Sequence, residues 1–200
     1  MENEPLIDEP LKSELSALYA AQGRHYHNLS HIEAMLALAG EYRGVLGDPE
    51  AVEAAIWFHD AIYDSRAKDN EAQSAALAEK KLAGRAEAGR LDRISAMIVA
   101  TATHQLPLFD DAVATRDVGL FLDMDLSILG AAPDAFDAYE RAVRREYDWV
   151  EEPMWRAGRS AVLKNFLARP HIFHTEEFRR RFEPQARANM ARSLAALTAG

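Results

Sequence analysis

The chain has 200 residues, of which 48% are hydrophobic, and this length suits one ordinary domain or at most two very small ones. Its 23 Lys and Arg residues against 32 Asp and Glu residues give a formal net charge of −9, which argues against a surface that follows the phosphates of a polymer nucleic acid. The sequence contains no cysteine, so disulfides and thiolate metal sites are excluded, and any metal must be bound through nitrogen and oxygen.

The distribution of apolar residues along the chain indicates whether it carries a secretory signal or a membrane span. The N-terminal segment from Met1 to Pro5 is acidic and has no apolar core of the kind that a secretory signal requires. No later stretch reaches the ~18 consecutive apolar residues of a membrane span. We therefore expect a cytoplasmic protein with no membrane partner.

Apolar residues recur at helical spacing along nearly the whole chain, and no alternating strand pattern interrupts them. A first helix is predicted over about 10–22, with Asp8 and Pro10 at its start and Gly23 at its end. Later helices are predicted over residues 70–83, 91–104, 116–129, 133–150, 153–168 and 184–198. The sequence therefore predicts an all-α fold.

Two further helices of the N-terminal half carry histidines. The second helix is predicted to open at Ser30, whose capping-box pattern places His31 in the first turn. The third is predicted to open at Asp48 and to continue to Ile62, so that His59 shares a helix face with apolar residues. His31 is therefore expected at a helix N-terminus, and His59 on an inward helix face.

The dipeptide His59-Asp60 follows an apolar run over residues 55–58. A core helix seldom holds an imidazole beside a carboxylate unless both are paired, and a buried charge is usually neutralised by a partner or a metal. His31 upstream and Asp125 downstream offer two more ligands from other helices. Two imidazoles and two carboxylates suit Mn²⁺, Mg²⁺, Fe²⁺, Co²⁺, Ni²⁺ or Zn²⁺, with positions left for water and substrate. The pattern predicts a divalent-metal site between core helices.

Each of these residues also has an ordinary structural explanation. A single histidine beside apolar residues is more often a hydrogen-bonded core residue than a metal ligand. Asp123 competes with Asp125 for the last ligand position, since only two residues separate them and on a helix they point in different directions. We favour Asp125.

The order of these residues resembles the signature of the HD superfamily of metal-dependent phosphohydrolases, which is His, then His-Asp, then Asp on an all-helical core. The chain is most similar to an uncharacterised bacterial branch of predicted HD superfamily phosphohydrolases. The matching stretches are residues 24–31, 55–64, 69–71 with Ser74, 101–104, 122–130, 144–147 and 158–159. By this pattern the metal ligands are His31, His59, Asp60 and Asp125.

The resemblance implies a single HD-type domain over residues 1–200, with a metal-ligand core at about 24–130 and C-terminal helices over 133–198 packed on it. It also implies an enzyme, a metal-dependent phosphoric ester hydrolase whose substrate is a small phosphoester such as a nucleotide. His59 and Asp60 would be its catalytic residues, with Asp60 both binding metal and orienting the nucleophile. Two other functions stay open: a metal-bound regulatory module that binds a nucleotide without turnover, and an HD-like di-iron oxygenase.

Three residues are candidates for substrate binding. Arg24 precedes the first ligand by a short loop, and its planar guanidinium matches phosphate oxygens, although a surface role remains the slightly more common one for any single arginine. Lys68 follows the doublet and carries a charge that suits phosphate. His104 ends a predicted helix, where it could bind a second metal, contact a phosphate or stabilise free carbonyls.

Overall fold

The computed structural model describes residues 5–199, so the first four residues of the acidic N-terminal segment lie outside it. Within this range nine α-helices make up the fold, which confirms the all-α prediction. Beside them stand two short 3-10 helices and a single bridge between Ala83 and Ala86. The helices are α1 (Glu9–Tyr19), α2 (Leu29–Glu41), α3 (Pro49–Phe58), α4 (Asn70–Leu82), α5 (Ala88–Ala100), α6 (Ala112–Leu126), α7 (Pro133–Glu146), α8 (Glu152–Ala168) and α9 (Glu176–Thr198).

The helices form two compact units, Met1–Met124 and Asp125–Gly200. The boundary falls close to the end of α6, so Asp125 is carried by a helix that begins in the first unit. The single domain predicted over residues 1–200 stays a prediction. None of the helices that the structure describes combines the length and the apolar character needed to cross a membrane.

The core of the first unit surrounds α3, which packs against α1, α2, α4 and α5. Seven of its ten residues are buried, and a helix that is apolar on every side belongs inside a core. Its interior position follows from a run of alanines and large apolar residues that ends with Trp57 and Phe58. The C-terminal end of α3 therefore delivers the next residue, His59, into a dry environment.

The start of α3 is fixed by a polar network around Asp48. The Asp48 side chain caps the helix by accepting from the Ala51 N–H at 3.1 Å, and its carboxylate also pairs with Arg90. Asp117 of α6 accepts from the N–H groups of Gly47 and Asp48, both at 2.8 Å. These contacts confirm the predicted start of the helix and hold it against α6.

Several helices end earlier than the sequence predicts. The first helix ends at Tyr19, and Gly23 lies beyond it in a loop with φ of 91°. Helix α3 ends at Phe58, whereas the apolar pattern continues to Ile62. An apolar residue after a helix end is still buried when the chain turns back over the core, so periodicity alone overestimates the length.

Helix α5 likewise ends at Ala100, four residues before the predicted end. His104 has a φ of 50°, and its N–H donates to the Ala100 carbonyl at 2.8 Å. A left-handed residue of this kind closes a helical segment by satisfying one of its free carbonyls. The small residues before His104 thus form turns rather than helix.

Helix α9 begins at Glu176, well before Pro184, where the sequence predicts its start. Thr175 caps the new start by accepting from the Phe178 N–H at 3.4 Å. Pro184 lies inside the helix on an exposed face. A proline costs an interior helix one hydrogen bond, and here the buried residues on both sides of it maintain the helix.

The second unit packs α8 and a 3-10 turn at Ser127–Gly130 against α9. Asn189 of α9 donates to the carbonyls of Leu129 and Ala131 at 3.0 and 2.9 Å. Arg159 pairs with Glu140 and donates to the Tyr139 hydroxyl at 2.9 Å. Arg159 is therefore bound within its own unit.

Candidate metal centre

His59 is the C-cap residue of α3 and is 1% exposed. Its Nδ1 lies 2.9 Å from the Ile56 carbonyl oxygen, and a carbonyl can only accept, so Nδ1 carries the proton. Nε2 is then the ring nitrogen left to face the cluster, which is the arrangement found in metal-binding histidines whose other nitrogen is held by a carbonyl. The edge of Phe121 packs on the same ring, with centroids 5.9 Å apart.

His31 is the third residue of α2, which confirms its predicted place in the first turn. The cap of this helix is Asn28, whose side chain accepts from the Ser30 N–H at 3.0 Å, rather than Ser30 itself. The buried His31 ring places its Nε2 3.2 Å from Nε2 of His59. Two helix ends therefore bring two imidazole nitrogens face to face.

Asp125 completes a group with the two histidines. One ligand atom from each of His31, His59 and Asp125 lies within 4.8 Å of the others. Asp123 is fully buried on the same helix and does not belong to this group. The geometry thus favours Asp125 over Asp123 as the carboxylate that faces the imidazoles.

Asp60 lies beyond the end of α3, outside this group of three, and contacts both histidines. Its Oδ2 is 3.0 Å from Nε2 of His59 and 3.7 Å from Nε2 of His31. Burial raises the pKa of Asp60, but the charges of the adjacent rings, His59 first and then His27, outweigh burial and lower this pKa below its usual range. An ionised carboxylate therefore lies against both histidine nitrogens.

The donor set of this cluster fits a divalent ion. Two nitrogens that bind one ion at about 2.0 to 2.1 Å lie about 2.9 to 3.4 Å apart, for bond angles between octahedral and tetrahedral. The observed separation between the histidine Nε2 atoms, 3.2 Å, falls in this interval. Imidazole nitrogens together with carboxylate oxygens suit the borderline and hard divalent metals.

Arg24 is half-buried beside this cluster. Its Nη1 donates to the carbonyls of His27 at 2.9 Å and Asp60 at 2.7 Å, and its Nη2 donates to the carbonyl of Ala61 at 2.9 Å. The guanidinium thus contacts backbone of the chain itself. Its predicted contact with a substrate phosphate stays a prediction.

The other two predicted substrate-binding residues lie outside the group of three ligands. Lys68 is an exposed residue of the loop before α4. His104 is half-exposed, and its backbone closes the turns after α5. The roles predicted for both side chains stay predictions.

An aromatic wall beside the cluster was missed by the sequence analysis. The His27 ring stacks on Tyr63 with centroids 4.2 Å apart, and Tyr26 lies 4.9 Å from the ring of His31. The sequence does carry a signal for this wall, because Tyr26 and His27 lie between Arg24 and the first ligand. Periodicity does not reveal it, since these residues belong to a loop.

No family model matches this chain, and neither does any curated protein or solved structure. The resemblance to the HD superfamily therefore rests on the residues and their order. Membership of that superfamily stays a prediction.

Proposed function

We propose that this protein is a divalent-metal-dependent phosphohydrolase acting on a small phosphoester. The observation that carries the proposal is the convergence of one ligand atom each from His31, His59 and Asp125 within 4.8 Å of one another. These residues come from three helices in the order that the HD signature requires. Membership of the HD superfamily is part of the same proposal.

The proposed metal ligands are His31, His59, Asp60 and Asp125. A divalent ion held by them would supply Lewis acidity toward a phosphoryl oxygen and lower the pKa of a bound water. Both histidines offer Nε2, and the Ile56 carbonyl keeps His59 in the tautomer that binding needs. Burial of both rings limits competition from bulk water.

Asp60 has the second role in this proposal. A general base works best when its pKa is near the working pH, and the lowered pKa of Asp60 makes it a weak proton acceptor. We assign it instead to ligation and to orienting the nucleophile by accepting a hydrogen bond. His59 is assigned to ligation alone, because its Nδ1–H is bound to the Ile56 carbonyl.

The proposed substrate is small and phosphorylated. A chain with a net charge of −9 repels extended polyanions, and a confined positive site can still bind one phosphate group. Lys68 and His104 are the proposed sources of phosphate contacts. A nucleotide is one member of this substrate class.

A hydrolysis screen tests the proposal. Purified protein is incubated with nucleotides and small phosphomonoesters and phosphodiesters, with Mn²⁺, Mg²⁺, Co²⁺ or Ni²⁺ supplied separately. We expect metal-dependent release of phosphate or of a monoester product, abolished in His59→Ala. His171→Ala is the matched control, because His171 is an exposed histidine outside the cluster.

Two outcomes of this screen would overturn the proposal. Tight nucleotide binding without product under every metal would identify a regulatory module. An optical spectrum of a two-iron centre, with no hydrolysis, would identify an oxygenase.

A further inference from the structure

The two segments joined by Arg24 carry or lead into three of the four proposed ligands, which are His31, His59 and Asp60. The loop over residues 24–28 leads directly into α2 and His31, and the turn after α3 contains His59, Asp60 and Ala61. Arg24 binds a carbonyl of the first segment and two carbonyls of the second. One side chain therefore sets the spacing between them.

The guanidinium itself is held in place by aromatic rings. Its central carbon lies 5.1 Å from the ring centroid of Tyr19 and 5.5 Å from that of Tyr63. The buried Tyr19 hydroxyl donates to the Trp57 carbonyl at 2.9 Å, which fixes this ring against the end of α3. The guanidinium of Arg24 is thus oriented by the two aromatic rings as well as by its hydrogen bonds to the three carbonyls.

We propose that Arg24 is a positioning residue of the metal centre, an inference that rests on the proposed function. By binding the Asp60 carbonyl, Arg24 fixes the backbone from which the Asp60 carboxylate reaches Nε2 of His59. By binding the His27 carbonyl, it also fixes the loop that leads to His31. Loss of the guanidinium therefore changes the distances among the ligands.

Arg24→Lys keeps the positive charge but removes the planar set of donors that binds the three carbonyls. An ammonium group is a compact donor on a flexible stem, whereas a guanidinium presents a planar set of donors to several carbonyls at once. Partners that orient metal ligands typically change metal affinity by about 10-fold to 100-fold. We expect Arg24→Lys to raise the Kd for Co²⁺ by about tenfold or more.

Titration with Co²⁺ alone, followed by visible absorption, tests the inference. The control is Arg187→Lys, because Arg187 makes the same kind of contacts in the second unit, donating to the carbonyls of Leu167, Arg169 and Pro170 at 3.1, 2.9 and 3.0 Å. We expect Arg24→Lys to weaken Co²⁺ binding and change the absorption spectrum. We expect Arg187→Lys to lower the Tm and to leave the Kd for Co²⁺ and the absorption spectrum unchanged.

A milder variant covers the case in which Arg24→Lys does not fold. Tyr63→Leu removes one of the rings that flank the guanidinium and leaves its hydrogen-bond partners in place. We expect a smaller rise in the Kd for Co²⁺ in this variant. If Arg24→Lys does not fold, an unchanged Kd for Co²⁺ in a folded Tyr63→Leu protein would contradict the inference.

The outcomes separate this inference from the proposed function. A Kd and a spectrum equal to the parent's in Arg24→Lys, with a loss of Tm like that of Arg187→Lys, would show a purely structural role. An unchanged Kd with a raised KM for a phosphoester would make Arg24 a phosphate contact, and would also overturn the inference. A parent protein that binds no Co²⁺ would remove the proposed function and this inference together.

Discussion

The Nε2 atoms of His31 and His59 lie 3.2 Å apart, although 28 positions separate the two residues in the chain. A contact this close between two buried imidazoles needs either a shared proton or a shared ion, because two lone pairs repel each other. A shared ion satisfies both rings and Asp60 at once. The first prediction tests this directly.

We predict that His31→Ala and His59→Ala each lose bound metal and thermal stability together. Metal that binds only the folded protein stabilises it, so a lost ligand lowers both quantities. Elemental analysis and Tm values with and without Mn²⁺ measure the effect. The control His171→Ala keeps both, and a His59→Ala protein with full metal content would refute the assignment.

The second prediction compares the two aspartates near the end of α6. Asp125→Asn is expected to weaken metal binding far more than Asp123→Asn, since Asp125 alone groups with the histidines. Asp123 is fully buried, so its replacement is expected to lower the Tm instead. A Co²⁺ titration ranks the two variants, and the reverse order would transfer the ligand role to Asp123.

The third prediction concerns Asp48 and acid. Burial raises the pKa of Asp48, but hydrogen bonds from Arg90 and from the Ala51 N–H outweigh burial and lower this pKa. A carboxyl of this kind stabilises the fold above its unfolded pKa of about 3.9, and the contribution is lost as the pH falls. Asp48→Asn is therefore expected to lower the free energy of unfolding at pH 7 by about 1 to 3 kcal/mol.

Comparing the parent with Asp48→Asn at acidic pH tests whether the contribution of Asp48 to stability is lost as the pH falls. Urea denaturation of the parent and of Asp48→Asn is expected to give stabilities that converge as the pH falls below about 4. Asp137→Asn serves as a control, because its pair with Arg192 is more exposed and contributes less. A difference between the parent and Asp48→Asn that does not shrink as the pH falls below about 4 would contradict this explanation.

The fourth prediction uses two glycines of the second unit. A Cβ added at Gly130 would lie 2.6 Å from Phe182 Cβ and 2.7 Å from its carbonyl oxygen, so the backbone of α9 would have to move. Gly130→Ala is expected to cost about 1 to 3 kcal/mol. Gly158 of α8 has open space around it, so Gly158→Ala is expected to stabilise by about 0.5 to 1 kcal/mol. Equal urea midpoints for the two variants would show that the predicted clash does not occur.

The sequence predicted the helices and the places of His31 and His59 through local signals, and the role of both residues as metal ligands stays a prediction. Asp48 and Pro49 mark the start of α3, and the apolar run after them requires burial, so the depth of His59 follows. His31 follows from its place in the first turn of α2. Asp125 was favoured on the sequence, but Asp123 stayed its rival because only two residues separate them and neither spacing nor the HD order distinguishes the two.

The remaining features depend on contacts between distant parts of the chain. Nothing near Arg24 in sequence indicates that its partners are the carbonyls of Asp60 and Ala61, which follow it by 36 and 37 positions. The end of α3 at Phe58 is likewise fixed by where the following turn finds partners. Ser74 of α4 supplies one of these, since its Oγ accepts from the Ile62 N–H at 3.1 Å.

Tyr19, the last residue of α1, links the N-terminal helix to the cluster through the Trp57 carbonyl and the face of Arg24. A helix on the outside of a core can open independently of the rest of the fold. Here the departure of α1 would remove one support of the guanidinium that spans the histidine loop and the Asp60 turn. We therefore expect opening of α1 and opening of the cluster to be coupled, which native-state hydrogen exchange would register as a shared opening free energy for both segments.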